Sequence, residues 1–233
     1  MRMRKKKNAD KRLFECRELI FERPESPMAK PAAALSMGGS PVFLEIGAGK
    51  GGFAVNMARL NPGAAYFAME RVSDCVVLAA ELAKAEREEG RDNLRFIIDG
   101  ADSLPDWFMP GSVDRIFLNF SDPWSKKGYA KRRLTHRRYL ALYMNLLSDG
   151  GTIQFKTDND ALFDFSLLEI EAIGLECDVV TRDLHASEYA DGNVMTEYER
   201  AFVSQGVKIN MLRLTKPQGF TIDMPERSGG RLK

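Results

Sequence analysis

The run Phe117-Leu118-Asn119-Phe120-Ser121-Asp122-Pro123-Trp124-Ser125-Lys126-Lys127 gathers an amide, a carboxylate, an indole and two ammonium groups. Residues 113–118 read as a strand, and Pro123 stops it. In an open α/β sheet, ligands bind outside the carboxyl ends of the strands. Asp122, Trp124 and Lys126 are therefore expected at the mouth of a site. The plainer reading is a Pro-terminated strand with Trp124 as a core anchor.

A second constellation lies earlier in the chain. Glu45-Ile46-Gly47-Ala48-Gly49-Lys50-Gly51-Gly52 joins an apolar strand, 42–46, to a helix, 53–60. Gly47, Gly49 and Gly52 match the GxGxxG spacing of a nucleotide-like ligand, a weak signal by itself. Leu44 stands where a phosphate-gripping GxxxxGK[ST] loop needs its first glycine, and Gly51 follows Lys50, so that loop is excluded. Glu70 ends the second strand, where a carboxylate accepts both hydroxyls of a ribose. That suits a dinucleotide or an S-adenosyl compound. Glu45 separates the two: it would repel a pyrophosphate and attract a cationic amino acid or sulfonium. S-adenosylmethionine is the favoured cofactor, with S-adenosylhomocysteine as its product.

The elements that must hold these residues alternate. Strands are expected at 42–46, 65–69, 93–98, 113–118 and 152–156, and helices at 53–60, 72–89, 137–147 and 160–173. Two late strands, 175–182 and 207–214, have little between them and suit an antiparallel hairpin at one edge. Such alternation predicts a mostly parallel sheet with helices on both faces, an α/β doubly wound fold. Residues 1–40 form a basic, then Pro/Ala-rich arm with a short helix at 12–23, and residues 41–233 form the main domain.

A length of 233 residues suffices for one α/β domain, and 44% hydrophobic with 29% charged residues is ordinary for a soluble globular chain. No apolar run approaches the ~20 residues of a membrane span, and the basic N-terminus lacks the apolar core of a secretory signal. Cys16, Cys75 and Cys177 are far apart, and the histidines are His136 and His185 alone. This argues against a metal site or disulfide framework and for a reducing cytoplasm. Net charge is +1, but cations concentrate in residues 1–12 and in Lys126, Lys127, Lys131, Arg132, Arg133, Arg137 and Arg138. Two such blocks on a neutral chain point to a polyanion.

Taken together, the chain resembles the tRNA (guanine-N7)-methyltransferase family, bacterial single-subunit type. The resemblance rests on the Arg-Met-Arg start, 44–51, 118–127, Lys131-Arg132-Arg133-Leu134-Thr135, Phe155-Lys156-Thr157-Asp158-Asn159 and Thr196-Glu197-Tyr198-Glu199. It implies a class I S-adenosylmethionine-dependent methyltransferase (Rossmann-like) sheet of seven strands, order 3-2-1-4-5-7-6, with an antiparallel edge strand. It implies methyl transfer to N7 of a guanine in the tRNA variable loop, position 46 in tRNA convention. By position, Glu45, Glu70 and Asp122 match cofactor contacts, and Lys126, Asp158 and Thr196–Glu199 match substrate contacts. One position departs: Gly100 stands where the family places an acid near the adenine. Either Asp99 substitutes, or backbone N–H groups near Gly100 and Ala101 serve, with Asp102 just beyond.

Guanine N7 carries a lone pair at neutral pH, so no general base is needed; the work is positioning. Asp122, between cofactor and base, and Asp158 are the candidate catalytic carboxylates for the charge that develops on the purine. Lys126, Arg132 and Arg133 are expected on tRNA, a phosphate or base oxygen for the first and backbone for the others. Trp124 and Tyr198 suit either stacking on a base or packing, and His136 suits a helix cap or an RNA contact. The rivals are an NAD-dependent oxidoreductase, an RNA-binding protein with an inactive methyltransferase fold, and an amino-methylating enzyme with an NPPY-type loop. Either a monomer or a homodimer is compatible with the sequence.

Overall fold

Alternate residues of the first strand face opposite cores. In β1 (Val42–Ile46), Val42, Leu44 and Ile46 enter one apolar cluster and Phe43 the other. The same period of two recurs in β2 (Ala65–Glu70), where Phe67 and Met69 oppose Tyr66 and Ala68. A strand buried on both faces needs helices on both, the condition of a parallel sheet. The computed structural model describes residues 6–88, 90, 92–229 and 231–232. Arg2, Arg4 and Lys5 of the first basic block lie outside the described residues.

The remaining sheet strands are β3 (Leu94–Ile98), β4 (Val113–Asn119), β5 (Leu147–Thr157), β6 (Val179–Thr181) and β7 (Asn210–Thr215). Their order is β3-β2-β1-β4-β5-β7-β6, with β7 antiparallel to β5 and β6 and the other neighbours parallel. This is the class I methyltransferase order that the family resemblance implies. One face carries α2 (Gly52–Leu60) and α3 (Ser73–Ala85); the other carries α4 (Arg137–Leu146) and α5 (Asp160–Glu171). The chain moves outward from β1 to β3 and then returns to β4 on the other side of β1. The crevice between the ends of β1 and β4 is therefore the topological switch point.

Three expectations change. The helix at 12–23 is shorter: α1 (Ala9–Glu15) is followed by one 3-10 turn, Arg17–Leu19. From Ile20 the chain is extended, because it bridges to Phe96 and the Phe21 N–H donates to the Phe96 carbonyl at 2.8 Å. That contact covers the β3 edge. Cys16, Leu19, Ala32 and Leu35 of the arm are buried in the two cores. Second, β6 and β7 are antiparallel neighbours but not a tight hairpin. Residues 182–209 intervene, with two 3-10 turns and α6 (Glu197–Val203), a helix that the strand reading passes over. Third, a small C-terminal ribbon, β8 (Arg227–Ser228) with β9 (Arg231–Leu232), is an addition to the expected elements. Among the described residues no helix is long and apolar enough to cross a membrane.

Candidate active site

The glycine-rich turn after β1 is built for close approach. Gly47 has φ 81°, a left-handed value that favours glycine. A Cβ on Gly51 would stand 2.6 Å from the Ala79 Cβ, so α3 packs directly on this turn. Glu70, at the end of β2, ties the turn to the next segment: Gly49 N–H donates to Oε2 at 3.1 Å and Val72 N–H to Oε1 at 2.8 Å.

Glu45 points into the switch point from the end of β1 and is only 2% exposed. Asn119, its neighbour at the end of β4, donates Nδ2–H to Glu45 Oε1 at 3.0 Å. Burial pushes the Glu45 carboxyl up to about 7, against the Asn119 hydrogen bond and the Lys156 charge; Glu70 adds to the rise. Glu45 Oε2, Asn119 Oδ1 and Ser121 Oγ are buried and have no partner among the described residues. Three unmatched polar atoms thus belong to residues that line one cavity. Buried groups of this kind are costly unless a ligand meets them.

These atoms line a cavity of about 830 Å³, within the ordinary range for small-molecule sites. Gly47, Gly49 and Glu70 form one wall, and Asp99, Gly100, Ala101 and Asp102 another. Met69 and Leu134 supply apolar surface. Asp99 is drawn toward the protein: it accepts from Gly100 N–H at 2.8 Å, from Trp107 Nε1–H at 3.1 Å and from Arg23. Burial raises its carboxyl, but these hydrogen bonds outweigh it and hold the group below its ordinary value. Asp102 accepts from Tyr139 Oη–H and from Leu232 N–H, both at 3.2 Å.

The mouth is formed by the segment after β4. Phe120 (φ 51°) and Trp124 (φ 40°) are held in left-handed conformations without being glycine. Such strain persists only where surroundings over-determine it. Here Phe120 N–H donates to the Lys156 carbonyl at 2.9 Å. Arg133 donates to the carbonyls of Pro123 at 2.9 Å and Trp124 at 3.2 Å. Trp124 is half-buried beside Tyr129, with the Arg132 guanidinium 5.0 Å from its ring centroid. Asp122, exposed, lines the cavity, as do Trp124 and Arg132.

The opposite rim comes from the start of α6. Thr196 and Glu199 make a reciprocal capping box, with Glu199 N–H to Thr196 Oγ1 at 2.9 Å. Thr196, Glu197 and Tyr198 line the cavity; Tyr198 is 60% exposed, and Glu197 reaches Lys50 at 3.4 Å. Thus Glu45, Gly47, Gly49, Glu70, Asp99, Gly100, Asp122, Arg132, Thr196, Glu197 and Tyr198 are brought together around one space.

Four candidates lie off that space. Asp158 follows β5, half-buried, with no hydrogen bond or ion pair among the described residues. Lys126 is exposed beside the mouth. Arg133 is committed to the loop backbone. Glu199 is fully buried, paired to Lys156 at 2.6 Å, and accepts from Asn193 and Thr196 with His185 at 3.0 Å. Its side chain is thus committed to these contacts and does not line the cavity. His185, which has no legible partner in the sequence, has one here, and His136 caps α4 by accepting from Arg138 N–H. Sequence reasoning passes over Asn119 and Lys156 as site residues. Their signals are an amide directly after an apolar strand and a charge inside one.

The residues present fit S-adenosylmethionine: unmatched acceptors for a cationic amino-acid end, Glu70 at a strand end for a ribose, and apolar surface for a base. A dinucleotide pyrophosphate would instead meet Glu45. Residues 39–212 match the family model described as "Putative methyltransferase". The chain is 48% identical over 173 residues to a tRNA (guanine-N(7)-)-methyltransferase of Lachnoclostridium phytofermentans, covering 74% of this chain and 79% of the relative. Among solved structures it resembles the 16S rRNA methyltransferase KamB (TM-score 0.62, 16% identity, 85% of this chain and 98% of that one). It also resembles an antibiotic-related methyltransferase (TM-score 0.58, 19% identity, 84% and 98%). At those identities the structures speak for the fold alone, whereas the sequence relative carries more. By fold, cofactor site and sequence, the chain belongs to the tRNA (guanine-N(7)-)-methyltransferase family.

Proposed function

We propose that this chain methylates N7 of a guanine in tRNA at variable-loop position 46, with the base entering between Asp122 and Tyr198. The observation that carries this reading is the single cavity joining the buried acceptors at Glu45, Asn119 and Ser121 to that mouth. S-adenosylmethionine supplies an electrophilic methyl group on a sulfonium.

The chain's own residues then have separable tasks. Glu45 and Asn119 hold the cationic end of the cofactor, and Glu70 its ribose. Asp99, or the backbone at Gly100 and Ala101, meets the adenine. Asp122, at the mouth, offsets the positive charge that the purine gains at N7. Asp158, off the cavity with a carboxylate unpaired among the described residues, accepts from the Watson–Crick edge of the base. No side chain must take a proton in the transfer. Thr196, Glu197 and Tyr198 orient the base, and Tyr198 is exposed enough to stack on it. Lys126, Lys127, Lys131 and Arg132 are exposed around the mouth and meet phosphates. We place the enzyme, as monomer or homodimer, in the cytoplasm with its tRNA.

The test is methyl mapping. Unmodified tRNA is incubated with protein and S-adenosylmethionine, then treated with borohydride and aniline, which cleave the chain at 7-methylguanine. Cleavage at position 46 is expected. A methyl group that survives this treatment uncleaved, or cleavage at another guanine, overturns the corresponding part of the reading.

A further inference from the structure

Lys156 is fully buried in β5, an interior strand of the sheet, where burial lowers its pKa and the Glu199 and Glu45 carboxylates oppose that fall. Its register partners are Asn119 on β4 and Met211 on β7. The ammonium has three hydrogens and spends all of them on one segment. They go to Glu199 Oε2 at 2.6 Å, the Val194 carbonyl at 2.9 Å and Asn193 Oδ1 at 3.0 Å. Glu199 in turn accepts from Asn193 Nδ2–H at 2.6 Å and approaches His185 Nε2 at 3.0 Å. The Lys156 carbonyl accepts from Phe120, the first strained residue of the Asp122 loop. One residue thus fastens both rims of the cavity mouth without lining the cavity itself.

A buried ion pair is poor evidence for a stabilising device, because well-packed apolar residues of similar volume hold a fold as well or better. What apolar packing cannot do is fix the direction of a segment through hydrogen bonds of defined geometry. We propose that Lys156 is a positioning residue for methyl transfer: through Glu199 and Asn193 it sets the Thr196–Tyr198 rim against the Asp122 loop. The proposal rests on the reading that the target base enters between those rims. Lys156 acts on the base-binding side, and the cofactor end keeps its own contacts to Glu45 and Glu70.

The double substitution Lys156→Met with Glu199→Met tests this. It removes one positive and one negative charge together; because the Lys156 charge also lowers the Glu45 pKa, cofactor affinity is compared at alkaline pH, where Glu45 is ionised in both proteins. Lys156→Met alone strands a buried Glu199 and is prone to misfold; Glu199→Gln, close in shape to the native residue, leaves a lysine that burial already disposes to lose its proton, and is the second variant. Thermal melts establish which variants fold. Three quantities are then measured: S-adenosylhomocysteine affinity by calorimetry, tRNA KM, and single-turnover methyl transfer at saturating tRNA and cofactor. The folded double variant is expected to keep the wild-type S-adenosylhomocysteine affinity. Its single-turnover rate should fall by up to about 10²-fold, the size of loss that a misplacement near 1 Å can cause. Glu199→Gln should show the same split to a smaller degree. Wild-type turnover in the folded variants overturns the proposal. Equal losses in cofactor affinity and turnover also overturn it, since they mark a general structural role. Failure of the wild-type protein to methylate N7 would instead count against the proposed function, so the two failures are distinguishable.

Discussion

With Glu45 proposed to hold the cationic end of the cofactor, cofactor binding is expected to be proton-linked. In the free protein its carboxyl is pushed from an ordinary 4.5 up to about 7, first by burial, with Glu70 adding and Asn119 and Lys156 opposing. Tyr66, raised well above the ordinary range by burial and then by Glu45, stays protonated and does not compete. The cofactor brings a fixed sulfonium charge and an ammonium, both of which favour the carboxylate, so binding expels the proton. At about pH 6 roughly nine-tenths of the free protein must lose that proton, and at about pH 8 roughly one-tenth, so affinity should be about tenfold weaker at the lower pH, or about 1.4 kcal/mol. Calorimetry in buffers of different ionisation enthalpy reads both the affinity and the proton count. Glu45→Gln should bind weakly and without this pH dependence. A wild-type dissociation constant that is flat over this range, with no proton released, would refute the placement of a cation at Glu45. The sign for folding is the opposite. A raised folded-state value stabilises the unliganded protein fully below the unfolded 4.5 and is lost as pH rises through about 7. That difference is about 3 kcal/mol; because Gln mimics the protonated carboxyl, urea melts of wild type and Glu45→Gln should converge at the acid end, with wild type the less stable at the alkaline end.

Glu70→Ala should weaken cofactor binding by ~1.5–3 kcal/mol, the worth of charge-assisted hydrogen bonds, with the fold intact by circular dichroism. Unchanged calorimetric affinity would remove Glu70 from the site. Asp122→Ala and Asp158→Ala should lower the single-turnover rate at saturating tRNA and cofactor more than they lower tRNA affinity. A near-wild-type rate in either would withdraw its catalytic role. Replacing Lys126, Lys131 and Arg132 together should flatten the salt dependence of tRNA binding by ~0.7–0.9 log unit for each phosphate no longer neutralised. An unaltered slope places the tRNA elsewhere. Arg133→Ala should behave differently, slowing turnover with little change in salt slope, because its guanidinium holds the Pro123 and Trp124 carbonyls.

Strands buried on both faces are legible because their apolar runs are short and end in glycine, Pro123 or an acid. The helices α2 to α5 are legible because their apolar positions recur at helical spacing. The segment between β6 and β7 is not. There α6 is a seven-residue helix whose hold on the molecule comes from a capping box and a buried lysine far away in sequence. Neither produces a long periodic stripe. The arm departs for a related reason: Arg12–Arg23 has helical composition, but the Phe21 N–H finds a better partner at the exposed edge of β3. Tertiary hydrogen bonding, invisible to local propensity, decides both cases.

At the site, residue types are legible where the chemistry is local to one strand end. Glu45, Glu70 and Asp122 each terminate or follow a strand, and all three line the cavity. The basic block 126–138 is legible as charge but not as partition. Arg137 is bidentate to Glu169, with contacts of 3.0 and 2.9 Å, and Arg138 donates to the Leu232 carbonyl at 2.5 Å, so neither is free for phosphate in this arrangement. The same limit explains Thr196-Glu197-Tyr198-Glu199. Taken as one motif, its four residues share one role. On a helix start, residues three apart turn toward each other while the two between them face elsewhere. Thr196 and Glu199 therefore close on one another, Glu199 alone reaches Lys156, and Glu197 and Tyr198 line the cavity beside Thr196. The capping box ties the motif's two outer residues together while the inner two face the cavity, and only the geometry of the turn separates these parts.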